Sequence, residues 1–153
     1  MKEVIFVIGV AGSGKSTYIK NNYPDYKKID LYDYQSHFMC VAEVLQSYED
    51  CKKDLVESIK TCDKVVMEHT LLKKMRRIPY VDAVRETDDV KLTCVLVNPS
   101  VEQIVNNRIA RGLSKTICNK ESVLDELEVL EIPEDGDGFD EIIIVANFEI
   151  GDM

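Results

Sequence analysis

The stretch from Lys2 to Thr17, KEVIFVIGVAGSGKST, limits what this chain can fold into more than any other. Val4, Ile5, Phe6, Val7 and Ile8 form an unbroken apolar run, which suits a strand buried on both faces of a sheet. Gly9, Gly14, Lys15 and Ser16 then complete G-x-x-x-x-G-K-S, and helical TYIKNN follows. A strand, a glycine-rich turn and a helix in that order make a phosphate cradle. Glycine permits positive φ and a close backbone approach to phosphate that a Cβ would block. The freed N–H groups lie at the positive end of the next helix. The candidate nucleotide-binding residues are Gly9, Ala11, Gly12, Ser13, Gly14, Lys15, Ser16 and Thr17. Lys15 is spaced to reach the β- and γ-phosphates of a nucleoside triphosphate, and the Ser16 hydroxyl to ligate Mg²⁺.

At 153 residues the chain reads as one domain, 1–153. A chain of this size buries roughly 68–70% of its unfolded surface, enough for a core without staples. A hydrophobic fraction of 45% and a charged fraction of 31% suit a soluble protein. No apolar run approaches the roughly 20 residues a membrane span needs. The strand-like start is no signal peptide, so the expected location is cytoplasmic. The five cysteines are odd in number and widely spaced, with no C-x-x-C pair and only His37 and His69 to assist them. They read as free, mostly buried thiols in a reducing compartment. A net charge of −9 argues against a large nucleic-acid footprint, because neutralising phosphates needs a basic surface. A small acceptor, or the end of an oligonucleotide, fits better than a wrapped duplex.

Along the chain, strand and helix patterns alternate. Tyr26–Ile29 reads as a second strand, followed by Asp30 and Asp33. Phe38, Val41, Leu45, Tyr48, Leu55 and Ile59 recur at helical steps and read as core packing, over a helix from about Tyr34 to Lys60. Its length suggests a break near Ser47 to Asp50. KVVMEHT, after Asp63, is a third buried strand, and Leu71 to Glu86 is helical, interrupted early by Pro79. VKLTCVLV is a fourth strand; Ser100 caps a helix running to Gly112; Glu121 to Leu130 is another helix; Glu141 to Val145 is a fifth strand. The pattern predicts an α/β, three-layer fold with a five-stranded, mostly parallel sheet and a helical lid. The site then lies at the carboxyl ends of the strands.

Three groups beyond the loop carry chemistry. Asp30 and Asp33 follow the second strand, where a carboxylate can take the proton of an attacking hydroxyl; either residue satisfies the pattern, and turn capping competes. Glu68 ends the third strand, the position of an acid that holds Mg²⁺ or its water shell, with His69 beside it as a hydrogen-bonding neighbour. Arg108 and Arg111 lie three apart on one helical face and can close over transferring phosphates. Arg76 and Arg77 are divided between a surface or packing role and the acceptor. Asn119-Lys120-Glu121-Ser122 lacks the Asp of a guanine-reading N-K-x-D, which argues against a GTPase; with no base-reading motif visible, ATP is expected to be preferred to GTP only modestly.

The order GVAGSGKST, IDLYDYQ, VVMEHTLLKKMRR, NPSVEQIVNNRIARG and EIPEDGDGFDEIIIV resembles the polynucleotide-kinase-like branch of P-loop kinases, with zeta-toxin-like small-molecule kinases related to it. The resemblance implies a three-layer P-loop NTPase fold, ATP and Mg²⁺ as cofactors, and a strand-two Asp as general base. It also implies an Arg that holds the acceptor, at the position Gln35 occupies here. The family's acid after strand three is displaced to Glu68, Arg111-Gly112 matches its lid arginine, and Arg108 is offset by one from the second. The resemblance therefore implies phosphoryl transfer from ATP to a hydroxyl of a nucleoside, a 5′-OH polynucleotide end or a small metabolite. The missing acceptor arginine weakens the polynucleotide option. The expected catalytic set is Lys15, Asp33, Asp30, Arg111 and Arg108, with Ser16 and Glu68 at the metal. The alternative is a P-loop NTPase or nucleotide-dependent switch without an acceptor.

Overall fold

The computed structural model describes residues 1–35 and 39–146. His37 and Phe38, the first residue of the expected helical stripe, lie outside them. Five strands form one sheet in the order β2-β3-β1-β4-β5. They are β1 (Lys2–Ile8), β2 (Lys27–Asp30), β3 (Lys64–Glu68), β4 (Val90–Val97) and β5 (Glu141–Val145), and every pairing is parallel. Parallel neighbours need crossovers, and the helices supply them: α1 (Lys15–Asn22), α2 (Val41–Thr61), α3 (Lys74–Arg85), α4 (Val101–Ala110) and α5 (Lys120–Val129).

Period-two alternation along β1 sorts the core into layers. Val4, Phe6 and Ile8 face Cys51, Leu55 and Ile59 of α2 and Tyr80, Val81 and Val84 of α3. Ile5 and Val7 face Ile19 of α1 on the other side. Phe6 is fully buried, with Phe139 edge-on at 6.1 Å; truncating it to Ala would cost about 3–5 kcal/mol. A third cluster joins Val10 of the glycine-rich loop to Ile104 of α4 and Val123 of α5. That cluster seats the α4–α5 pair on the loop.

Two helices differ from expectation. Helix α2 runs unbroken from Val41 to Thr61, because it contains neither Gly nor Pro and Ser47 is accommodated by donating its hydroxyl to Val44 O at 2.6 Å. Only its second half is core: Leu55 and Ile59 are buried, whereas Val41 is 77% and Leu45 50% exposed. Helix α3 continues through Pro79, and its start is delayed to Lys74 by a tight turn in which Leu71 adopts a φ of 39°. Pro79 has no N–H to give the carbonyl of Met75. None of the five cysteines is paired; Cys51 and Cys94 are buried, Cys62 and Cys118 half-buried and Cys40 exposed, so two of the five are core thiols. Among the described residues no helix is long and apolar enough to cross a membrane.

Candidate active site

The glycine-rich loop leaves β1 at Gly9 and enters α1 at Lys15. Gly9 has a φ of 150°, and a Cβ there would stand 2.6 Å from Val97 O and 2.7 Å from Ser13 Oγ. Gly12, at φ 84°, abuts the Arg108 side chain, where a Cβ would meet Cγ at 2.7 Å. Both positions demand glycine for conformation and for space. No side chain caps α1, so its first N–H groups remain open to an anion. The hydroxyl of Ser13 is buried without a partner among the described residues.

Lys15 is buried and donates to Gly9 O at 3.0 Å and Val10 O at 2.9 Å, folded back over the loop. Burial pulls its ammonium down to about 8, with the Glu68 charge opposing that fall. Ser16 Oγ donates to both carboxylate oxygens of Glu68, at 2.7 and 2.9 Å. Glu68 is buried at the end of β3, and Lys28 Nζ stands 3.4 Å from it.

Asp30 and Asp33, equivalent on the page of the sequence, separate in space. Asp30 ends β2 directly opposite Glu68 in the parallel register. Its carboxylate accepts from Tyr32 N at 3.0 Å and lies 3.8 Å from Lys28. Burial and the Glu68 charge hold Asp30 above the usual carboxylate range, against the Tyr32 N–H. Asp33, one turn further, lines a separate cavity with Lys27, Tyr34, Asp54 and Glu57.

The two lid arginines also part. Arg108 is completely buried: Nε donates to Ala11 O at 2.8 Å, Nη1 to Ile117 O at 2.9 Å and Nη2 to Glu126 at 2.6 Å. Its guanidinium is spent on joining the loop to the α4–α5 connection. Arg111 is exposed and lines a cavity of ≈ 480 Å³ with Gly12, Gly14, Thr17, Asn106 and Asn107. Asn107, which sequence reasoning passed over, donates Nδ2 to Gly12 O at 2.8 Å and is buried. The N-K-E-S segment serves a structural end, since the Asn119 side chain accepts from Ser122 N at 2.8 Å as the cap of α5.

A second cavity, ≈ 650 Å³, lies on the other side of the loop, between α2, the end of β3 and α3. His69 borders it. The His69 Nδ1 accepts from Leu71 N at 3.2 Å, which leaves the proton on Nε2, and Nε2 has no partner among the described residues. The ring stacks on Tyr48 at 5.5 Å and meets Tyr80 edge-on at 5.4 Å. Burial, then the charges of Lys15 and Arg76, pushes its pKa down to about 3, so it stays neutral. Arg76 lies over the outer Tyr48 ring at 5.7 Å, whereas Arg77 is buried and donates to the carbonyls of Leu71, Leu72 and Glu131. The only sequence signal for this cavity was the run of basic residues from Lys73 to Arg77.

The open helix end, the Ser13 hydroxyl and the Lys15 ammonium are the donors that a triphosphate takes up, and Gly9 leaves it room. The Ser16 hydroxyl and Glu68 carboxylate are hard oxygen donors suited to Mg²⁺, which takes one or two carboxylates and completes its shell with phosphates and water. Among the described residues no group of three or more His, Cys, Asp or Glu is placed to hold a metal by itself.

The chain is similar to a gluconokinase from Sinorhizobium meliloti 1021, with 17% identity and a TM-score of 0.64 over 95% of this chain and 84% of that one. It is similar to a deoxyadenosine kinase from M. mycoides solved with bound dATP, with 14% identity and a TM-score of 0.58 over 97% and 93%. It also matches a chain of the Pnkp1/Rnl/Hen1 RNA repair complex, with 16% identity and a TM-score of 0.69, over 84% of this chain and 44% of that longer one. The chain shares the α/β fold of these proteins. No family model matches the sequence, and no curated protein matches it. One fold is shared by a gluconokinase, a deoxyadenosine kinase and a chain of an RNA repair complex, so function must be argued from the site.

Proposed function

We propose that this protein is an ATP- and Mg²⁺-dependent phosphotransferase that moves the γ-phosphoryl group to a hydroxyl of a small molecule. The observation that carries the reading is the line Lys15, Ser16, Glu68, Asp30. It puts a phosphate-holding lysine, a metal-binding pair and a carboxylate of raised pKa on one end of the sheet. A bare nucleotide switch has no use for that last group.

In this reading Lys15 leaves the carbonyls of Gly9 and Val10 for the phosphates, and the amides at the start of α1 hold the same anion. Mg²⁺, held by Ser16 with Glu68, would neutralise charge on the β- and γ-phosphates. Asp30 accepts the proton of the attacking hydroxyl as its oxygen bonds to the γ-phosphorus and the bond to the β-phosphate oxygen breaks. Its raised pKa suits a base better than an ordinary carboxylate. Arg111 supplies charge from the nucleotide side, and Arg108 positions the loop and lid without touching substrate. Asp33, in its separate cavity, has no part in the transfer. The five unpaired thiols support a reducing, cytoplasmic setting.

The test is a radiolabelled-ATP screen over nucleosides, 5′-OH oligonucleotides, sugars and sugar acids, with Lys15→Ala as control. Transfer that vanishes in the control supports the proposal. ATP hydrolysis with no labelled product from any acceptor would overturn it.

A further inference from the structure

The cavity beside His69 has an unusual charge for this protein. The chain carries −9 overall, yet the cavity is lined by Lys52, Lys73 and Arg76 against one acid, Glu49. Glu49 is matched by Lys52 at 3.1 Å. Lys73 and Arg76 have no acidic partner among the described residues, and Tyr48 holds the Arg76 guanidinium in place by a cation–π contact. Deeper in, the Nε2–H of His69 is a buried donor without an acceptor, an arrangement that is expensive unless a ligand satisfies it. Leu45, Met75, Pro79 and Val129 add apolar wall. A volume of ≈ 650 Å³ is that of a small-molecule site. The cavity meets the phosphate loop, since Gly9 N donates to Thr70 O at 3.3 Å.

We propose that this cavity receives the acceptor, and that the acceptor is a small hydroxyl-bearing anion. Arg76 and Lys73 hold its carboxylate or phosphate, and the His69 Nε2–H holds a neutral oxygen of its body. The word acceptor rests on the kinase reading; the anion specificity does not. Two free cations suffice for one anionic group, whereas a polynucleotide needs a row of them and meets an acidic protein. Arg76 reaches the cavity from α3, a different element from the loop after β2 that ends in Gln35.

The experiment uses two matched pairs, gluconate with glucose and ribose 5-phosphate with ribose. Calorimetry on the full chain without nucleotide reads binding, and labelled ATP reads transfer. We expect at least one anion to bind more tightly than its neutral partner; gluconate would identify a carboxylate site, ribose 5-phosphate a phosphate site. Arg76→Gln, at an exposed position, should weaken that anion by roughly 10- to 100-fold and leave the neutral partner unchanged. His69→Phe keeps a ring between Tyr48 and Tyr80 and should weaken both members of the pair by about 10-fold. If His69→Phe does not fold, Arg76→Gln decides alone. The proposal falls if neither anion outbinds its neutral partner, if folded Arg76→Gln binds the anion like wild type, or if a 5′-OH oligonucleotide binds more tightly through Arg76. Anion binding with no transfer to any acceptor of the screen would sink the kinase reading and keep this site. Transfer to neutral acceptors only, untouched by Arg76→Gln, would do the reverse.

Discussion

Lys28 reaches from β2 to Glu68 at the end of β3, its Nζ 3.4 Å from the carboxylate that also accepts the Ser16 hydroxyl. The same ammonium lies 3.8 Å from Asp30. One half-exposed cation thus offsets the two acids of the candidate site. Replacing it by Met removes a positive charge that competes with Mg²⁺. Because the Lys28 side chain is 39% exposed, solvent screens the effect. Lys28→Met should tighten the Mg²⁺ dependence of nucleotide binding by roughly 2- to 5-fold; an Mg²⁺ titration that shifts the other way would remove Lys28 from the site.

In the proposed mechanism Lys15 serves the phosphates and contributes little to the fold that its methylenes do not already supply. Lys15→Met should lower ATP affinity by at least about 100-fold, the loss of charge-assisted bonds to phosphate. Its melting temperature should equal or exceed that of wild type, since a buried ammonium is replaced by an apolar group. Calorimetry and a thermal melt on one sample check both halves.

The two aspartates should behave differently. Asp30→Asn should lower turnover by about 10²–10⁴-fold with ATP affinity nearly unchanged, the signature of a lost general base. Asp33→Asn, changed in another cavity, should transfer at close to the wild-type rate. Equal losses in the two variants would refute the assignment of the base to Asp30.

Arg108 and Arg111 separate stability from catalysis. Arg108→Ala empties a completely buried site and leaves the half-buried acceptors on Ala11, Ile117 and Glu126 without their donor, so it should destabilise the fold by about 1–3 kcal/mol in a denaturant titration. Arg111→Ala, on the exposed wall of the nucleotide cavity, should leave stability within about 0.5 kcal/mol. It should lower turnover instead, because its charge acts on the transferring group.

Acid should loosen the approach to β5. The carboxylate of Asp140 accepts from Leu92 N at 2.8 Å and pairs with Arg85 at 2.9 Å. That N–H, followed by Arg85, holds Asp140 below the usual carboxylate range. A folded-state pKa depressed in this way stabilises the protein above the unfolded value of about 3.9 and is lost as pH falls through the folded value. Asp140→Asn should therefore lower stability near neutral pH and flatten the loss as pH falls below about 4, read from melts across the acid range.

The elements and the phosphate loop were legible in the linear chain because their signals are local. An apolar run, a glycine pattern and a capped helix each depend on neighbours a few residues apart. All five strands fall where the apolar runs predict, and Ser16 meets Glu68 at the carboxyl ends of the strands. Where local signals were weak, the reading slipped. The length of α2 suggested a break that no Gly or Pro enforces, and its stripe counted Val41 and Leu45 as core although both are exposed, Leu45 at the rim of a cavity.

What the sequence determined by itself was the α/β order and the glycine-rich loop between β1 and α1. Only the tertiary structure decided which of two like residues stands where. Asp30 and Asp33 differ by three positions, and Arg108 and Arg111 by the same; composition and spacing treat each pair alike. The β2–β3 register turns Asp30 toward Glu68 and sends Asp33 to another cavity, and the seat of α4 on Val10 buries Arg108 while leaving Arg111 at the nucleotide cavity. The cavity lined by Tyr48, His69 and Arg76 is likewise a product of packing, drawn from three elements that no sequence window spans. Long-range contacts carry this information, and they exist only once the chain has closed on itself.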